Sequence, residues 1–440
     1  MLLSHNHSAD TGNRPNDTDP IALLQQKLSA SAKTIRVIDG RAPQPVPGED
    51  GSVLSRLVDE EAFKNAKGYV FTGQPDLQST FLLYYLIDAA QSGLPAAFIN
   101  SEERIPGDAK KSLLKPIVIC NYGPAKDPHP AKAFIERAQQ LQDNKFLKCN
   151  FNDIVHVVNH PDEVPAALNS PKPHTVFKSP SLPDDLEYPQ TPARDESKPS
   201  IFLCCSFSTQ NEFYVELAKQ LGQQITENGY NLVTGGGRYP GGKAEHGMMY
   251  NAQKSAYDAK DAARKTNGDV TGVTFAPLNP LTEHSGHGAP HYGLTRIVAT
   301  KNLAERVEVM TDLSDAVVIA PGGFGTDSES MGPLLMRQVA SALIEKKPMV
   351  IINAHDPEDP KGEGVHTKLI ALLESLNLHE DEHFHVVDSP TGISGHDELA
   401  AETAKLVIAK LADPELNVHS HARKLDLSKS AVSGTLPPGP

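Results

Sequence analysis

The C-terminal half of the chain alternates two apolar patterns. Short unbroken runs occur at IFLCCSF (201–207), NLVTGGG (231–237), DVTGVTF (269–275), AVVIAPGG (316–323) and PMVIIN (348–353). Their length and continuity suit strands buried on both faces. Between them, apolar residues recur at helical spacing, as in Phe213, Leu217 and Leu221, in residues 247–264, and in Met331, Leu335, Val339 and Leu343. Such alternation predicts an α/β fold, a Rossmann-like doubly wound parallel sheet covered by helices on both sides. In sheets of this kind ligands sit at the carboxyl ends of the strands.

The N-terminal half carries a fainter copy of part of this pattern. Residues 68–100, GYVFTGQPDLQSTFLLYYLIDAAQSGLPAAFIN, run parallel to 315–353: a strand, a turn, an apolar helix and a strand ending in Ile-Asn. AKAFIERAQQL (131–141) then parallels HTKLIALLESL (366–376), and 152–168 parallels 382–402. Matched order and length point to a degenerate partial duplicate. The first copy keeps Gly73 in its turn but has Thr80 where the second has Glu329. Between the halves, residues 170–199 hold Pro171, Pro173, Pro180, Pro183, Pro189, Pro192 and Pro199. That density excludes helix interiors and central strands and predicts an extended linker. The expected organisation is a disordered or loosely ordered N-terminus (1–33), a degenerate α/β domain (34–169), the linker (170–199), a catalytic domain (200–413) and a polar tail (414–440).

Composition narrows the function. A formal charge of −14 argues against a general nucleic-acid binder, which needs a Lys/Arg surplus to displace counterions. It leaves room for a small phosphorylated ligand held by backbone N–H groups. Cys120, Cys149, Cys204 and Cys205 show no metal spacing, so buried thiols rather than ligands or disulfides are expected. No apolar run is long enough for a signal peptide or a membrane span, and a cytoplasmic setting is the expectation. His284, His287 and His291 lack helix-face spacing, so their segment reads as a substrate-side loop and no metal is expected.

The candidate chemistry centres on PGGFGTDSE, Pro321–Glu329, between a strand and a helix. Gly322, Gly323 and Gly325 let a ligand approach the main chain. Thr326 adds a hydroxyl and an N–H at a helix start, where free N–H groups and the helix dipole favour phosphate. No P-loop lysine follows. A second glycine turn, Gly235, Gly236 and Gly237, ends another expected strand, and Arg306 lies on the helical segment LAERVEVM. On spacing alone, the glycine turn is weak evidence, and a lone arginine on a helix is usually a solvated charge or a surface ion pair.

Together, ERVEVMTDLSDAVVIAPGGFGTDSE, the strand ending at Cys205-Ser206, Gly235–Gly237 and Gly247-Met248 resemble the LONELY GUY-type phosphoribohydrolases and the related bacterial nucleotide 5′-monophosphate nucleosidases. Members of that family were often labelled lysine decarboxylases. The resemblance covers about residues 200–410. It implies that Arg306 and Glu329 are catalytic, that Gly322, Gly323, Gly325 and Thr326 hold the 5′-phosphate, and that Ser206 and Gly235–Gly237 line the nucleotide pocket. It implies hydrolysis of a nucleoside 5′-monophosphate in nucleotide salvage or cytokinin-type activation, with no organic cofactor, by a homodimer or higher homo-oligomer. This chain departs from the family pattern at Val307, at Ser330 and at Gly332-Pro333, which is expected to distort the helix start. The alternative is a nucleotide-binding sensor without turnover. A pyridoxal-dependent decarboxylase finds no Schiff-base context, and a nicotinamide dehydrogenase finds no G-x-G-x-x-G with its acidic ribose ligand.

Overall fold

The computed structural model describes residues 35–39, 53–58, 65–73, 75–91, 100–104, 111–123, 127–147, 149–175, 197–207, 209, 211–236, 247–262, 269–275, 294–300, 302–339, 347–359 and 362–416. The expected disordered N-terminus, the segment 277–293 that holds His284, His287 and His291, residues 238–245 and most of the proline-rich linker and polar tail lie outside them. The chain forms two compact units: Met1–Ser179 with Ile319–Lys346 and Ile351–Ser389, and Pro180–Val318 with Lys347–Val350 and Pro390–Pro440.

The N-terminal block runs β1 (Ile35–Asp39), α1 (Leu54–Leu57), β2 (Gly68–Thr72), α2 (Leu77–Gln91), β3 (Asn100–Arg104), β4 (Lys111–Leu114), β5 (Ile117–Cys120), α3 (Lys132–Asp143), β6 (Val155–Val158), α4 (Val164–Leu168) and β7 (Pro173–Thr175). Strands β1-β2-β5-β6 form a parallel sheet in that order. β2 and β5 are buried along their whole length, as central parallel strands must be. β3, β4 and β7 make a separate antiparallel sheet.

The C-terminal block runs β8 (Ser200–Cys204), α5 (Glu212–Glu227), β9 (Asn231–Thr234), α6 (Met248–Ala262), β10 (Val270–Phe275), β11 (Arg296–Thr300), α7 (Leu303–Asp312), β12 (Ala316–Ile319), α8 (Phe324–Val339), β13 (Met349–Asn353), α9 (Thr367–Ser375), β14 (His385–Asp388) and α10 (His396–Leu411). Its seven-stranded sheet has the order β11-β10-β9-β8-β12-β13-β14. The chain winds outward from β8 to β11 and then resumes on the other side of β8, so the sheet is doubly wound with its reversal at β8 and β12. Strand starts are pinned by side chains. The Ser200 N–H donates to the Asp315 carboxylate and the Asp315 N–H to the Ser200 carbonyl, both at 2.7 Å. The Asn231 carboxamide accepts from the Asp269 N–H at 2.7 Å and donates to the Lys198 carbonyl at 3.1 Å. Helix α5 shows the local logic: the Asn211 side chain caps it at the Tyr214 N–H, Phe213, Leu217, Leu221 and Ile225 form the buried stripe, and Gly229 at φ +83° turns the chain beyond it.

The repeat is visible in the topology. β2-β5-β6 occupy the same places in their sheet as β12-β13-β14 do in theirs, with α2 and α3 in the positions of α8 and α9. The equivalence differs from the sequence reading at one strand. Of the strand expected to end at Asn100, residues 96–99 lie outside the described residues, and Asn100 opens the antiparallel strand β3. The counterpart of β13 is β5, because IVIC can be buried on both faces, whereas the charged NSEER segment cannot. The start of the expected linker also pairs, as β7 against β4. Within the first compact unit, α2 packs on α8 and α3 on α9. Equivalent helices thus face each other, as elements beside a two-fold axis do.

Helices α5 and α6 approach closely at Gly222, where a Cβ would press on the backbone of Ala252. Gly222→Val is expected to lower stability by about 1–3 kcal/mol, read as a lower urea midpoint. An unchanged midpoint would show that the two helices separate freely there.

Candidate active site

The turn after β12 is built by its neighbours as much as by its own residues. Helix α8 begins at Phe324, and the Asp327 N–H bonds to the Gly323 carbonyl at 3.0 Å. The N–H groups of Phe324, Gly325 and Thr326 therefore precede the helical ladder, where an anion is favoured. Thr326 is buried and its side chain folds over Gly322, leaving no room for a Cβ there. A Cβ on Gly323 would meet the Phe146 carbonyl at 2.8 Å, and one on Gly325 the Asp88 carboxylate at 3.1 Å. Close approach therefore requires glycine at 322 and 323, whereas at 325 the crowding comes only from the end of the Asp88 side chain. Glu329 is buried in the second turn of α8. The helix runs through Gly332 and Pro333 instead of being distorted at its start. Pro333 lies well past the first turn, so the cost falls at one place: it has no N–H to return to the Glu329 carbonyl four residues back.

The N-terminal block grips this turn from two sides. The Phe324 ring lies 5.5 Å from Tyr84, 6.2 Å from Phe134 and 6.0 Å from Phe151, measured between centroids. Arg137, on α3 and with no exposed surface, forks onto Asp327: Nε to Oδ2 at 2.9 Å and Nη2 to Oδ1 at 2.8 Å. Its Nη1 donates to the Val365 carbonyl at 2.7 Å and to Gln140 at 2.8 Å, and its Nη2 lies 3.1 Å from His366 Nδ1. His366 Nε2 reaches the Ala320 carbonyl at 3.1 Å. Burial opposes the charge on Arg137, but the Asp327 carboxylate outweighs it and the pKa is raised. Burial first, then the Arg137 charge, pushes the His366 pKa well below its usual value. A neutral ring fits both contacts, Nε2–H donating to Ala320 and Nδ1 accepting from Arg137. Burial and the Asp327 charge also raise the Tyr84 hydroxyl well above its usual range.

In the second compact unit, Arg306 Nε donates to the Val273 carbonyl at 2.8 Å and Nη2 to the Gly235 carbonyl at 2.6 Å. The guanidinium thereby ties β10 to the turn after β9. A Cβ on Gly235 would collide with it. Gly236, at φ +70°, adopts a conformation that other residues avoid. Gly237 lies outside the described residues. Ser206 is buried; its Oγ accepts from the Thr209 N–H and its carbonyl from the Met249 N–H, each at 3.1 Å. The structure thus assembles Gly322, Gly323, Gly325, Thr326 and Glu329 in one unit and Ser206, Gly235, Gly236 and Arg306 in the other.

The first repeat has a hollow at the carboxyl ends of β2 and β5, lined by Thr72, Gly73, Thr80 and Cys120. Burial above all raises the Cys120 thiol to about 11, so it is no thiolate nucleophile. Cys204 and Cys205 are buried thiols outside any disulfide, as the sequence suggested. Among the described residues no group of His, Cys, Asp and Glu is placed to hold a metal, and no helix is long and apolar enough to cross a membrane.

Arg137, Asp327 and His366 escaped the sequence reading. A signal was present for the first: Phe134, Arg137, Ala138 and Leu141 form the buried face of α3. An arginine on an apolar stripe needs an acidic partner elsewhere.

Comparison with known proteins agrees with the sequence resemblance. Residues 254–360 match the family described as "Possible lysine decarboxylase". The cytokinin riboside 5′-monophosphate phosphoribohydrolase of Rhodococcoides fascians is 27% identical over 164 residues, 37% of this chain and 72% of that protein. The rice (Oryza sativa subsp. japonica) enzyme of the same name is 26% identical over 217 residues, 49% of this chain and 74% of its own length. Among solved structures, the molybdenum cofactor binding protein of Rippkaea orientalis matches at 20% identity with a TM-score of 0.30, covering 48% of this chain and 98% of that one. The molybdenum cofactor carrier protein of Chlamydomonas reinhardtii matches at 22% identity with a TM-score of 0.29, covering 48% and 99%.

The buried neutral imidazole has a pH signature. An unfolded His366 takes up a proton near its ordinary pKa of 6.5 and the folded one does not. Its contribution to stability is therefore complete above that pH and is lost as the pH falls below it. Stability of the wild type should drop more steeply between pH 7.5 and 5 than that of His366→Gln, measured by urea unfolding. Parallel curves for the two proteins would show that His366 is not held neutral.

Proposed function

We propose that this chain, whose C-terminal block belongs to the LONELY GUY-type phosphoribohydrolase family, hydrolyses the N-glycosidic bond of a nucleoside 5′-monophosphate, releasing free base and ribose 5-phosphate. The curated relatives are phosphoribohydrolases, which sets a hydrolase at the level of the family. The substrate and the residue roles in this chain are our reading. The observation that carries it is the placing of a buried carboxylate, Glu329, on the same helix whose N-terminus closes the Pro321–Thr326 turn.

In this reading the N–H groups at the start of α8 and the Thr326 hydroxyl bind the 5′-phosphate, and Glu329 faces the ribose. Departure of the base leaves positive charge on the sugar. A fixed carboxylate stabilises that charge and orients or deprotonates the attacking water. Arg306 acts with Glu329 as the second catalytic group, contacting ribose or phosphate oxygens, and Ser206 and Gly235–Gly237 line the nucleotide pocket. A cytoplasmic location, a role in nucleotide salvage and assembly as a homodimer or higher oligomer belong to the same proposal. One observation favours the second reading, a nucleotide sensor without turnover: two Arg306 nitrogens are bonded to main-chain carbonyls, a structural use of the side chain.

Release of free base from a panel of nucleoside monophosphates, with equilibrium binding alongside, tests the proposal. Glu329→Gln should bind substrate but lose on the order of 10²–10³ in rate. Arg306→Ala should weaken affinity and rate together. Thr326→Ala should mainly raise KM for phosphorylated substrates, and nucleosides lacking the phosphate should be poor substrates for the wild type. Equal turnover by wild type and Glu329→Gln removes Glu329 from the mechanism. Binding without turnover by the wild type transfers the assignment to the sensor.

A further inference from the structure

We infer that Arg137, from the N-terminal block, is a positioning residue for the phosphate-binding turn of the C-terminal block, so that the degenerate repeat is a working part of the site and not a remnant. The inference rests on the function proposed above for what the turn binds, but not for how the turn is held.

The argument is geometric. Pro321–Thr326 is bounded by Ala320 on one side and Asp327 on the other, and the Arg137 network touches both. The guanidinium grips Asp327 directly through two bonds of 2.9 and 2.8 Å. It reaches Ala320 through one intermediate, Nη2 to His366 Nδ1 at 3.1 Å and His366 Nε2 to the Ala320 carbonyl at 3.1 Å. The Val365 carbonyl, bonded to Nη1 at 2.7 Å, fixes the backbone that carries His366. Gln140, one turn along α3, repeats the pattern: it accepts from Arg137 and donates to the Gly364 carbonyl at 3.1 Å. The two ends of a glycine-rich turn are thus clamped to one planar cation. Without the clamp, three glycines in six residues leave the loop many conformations.

Burial makes the clamp stiff. Arg137 and Asp327 side chains are both wholly out of water, where a fork pairing has no competing solvent and little angular freedom. Lysine, a point charge without the fork, cannot hold Asp327 in two bonds while reaching Val365 and His366. Nothing in Arg137 touches the candidate substrate groups, so its effect on chemistry is through the turn.

The test uses Arg137→Lys, which keeps the charge, and Arg137→Met/Asp327→Leu, which removes both charges so that neither is stranded in the core. Two readouts are taken on folded full-length protein. In amide hydrogen exchange, residues 321–329 should lose roughly tenfold or more of their protection in both variants, while β8 and β9 keep theirs. In steady-state kinetics, KM for a nucleoside monophosphate should rise about tenfold to a hundredfold, with a smaller change in kcat. A double variant with wild-type exchange at 321–329, or with loosened exchange and KM within twofold of wild type, overturns the inference. If Arg137→Lys does not fold, the double variant decides. A wild type without turnover defeats the proposed function alone. The exchange experiment, repeated with inorganic phosphate as probe, then decides the role of Arg137: a weaker phosphate affinity with loosened exchange supports it, and unchanged values overturn it.

Discussion

A guanidinium sealed from water has to meet an opposing charge and satisfy its donors, and the geometry that does so is narrow. Arg137 meets this requirement with one carboxylate, one carbonyl, one amide oxygen and one imidazole nitrogen, drawn from α3, α8 and the segment before α9. Each partner is thereby fixed relative to the others. The Phe324 cage of Tyr84, Phe134 and Phe151 fills the space beside the pair with apolar surface, which keeps water away and keeps the pairing strong. A turn of glycines, soft by composition, becomes a defined object because a rigid polar knot sits behind it.

The same knot explains the chemistry of its members. His366 stays neutral because a positive neighbour and burial both oppose protonation, and a neutral ring is the form that links a donor on one side to an acceptor on the other. A protonated ring would set two cations against each other with no water between them. The imidazole thus works here as a spacer of fixed length between a side chain and a strand end.

The parts of the fold legible in the sequence were those set by local pattern. Unbroken apolar runs marked β8, β9, β10, β12 and β13, and helical stripes marked α5, α6 and α8. The glycines after β12 stood out because a turn between strand and helix restricts residue type. The edge strand β11, RIVAT, lacks the continuous apolar run of a central strand and escaped notice. The small antiparallel sheet escaped too, since Lys111–Leu114 and Pro173–Thr175 pair across a long separation in sequence, which no local pattern encodes. The Arg137–Asp327 pair is 190 residues apart. One partner lies on an apolar stripe and the other in a motif whose glycines draw the eye, so only the fold connects them.

The facing of α2 with α8 and of α3 with α9 has a consequence for how such a surface can change. Where two identical subunits meet, every substitution appears on both sides at once, and a lone positive charge near the axis confronts its own copy. Joining the two halves in one chain lifts that restriction. One side is free to carry arginine while the other carries aspartate, and one is free to carry Thr80 where the other carries Glu329. The association is also freed from dilution, because tethered partners meet at a concentration set by the connecting chain and not by the cell. Linkage of this kind turns a mirror into a division of labour, with one half shaped to hold a turn that only the other carries.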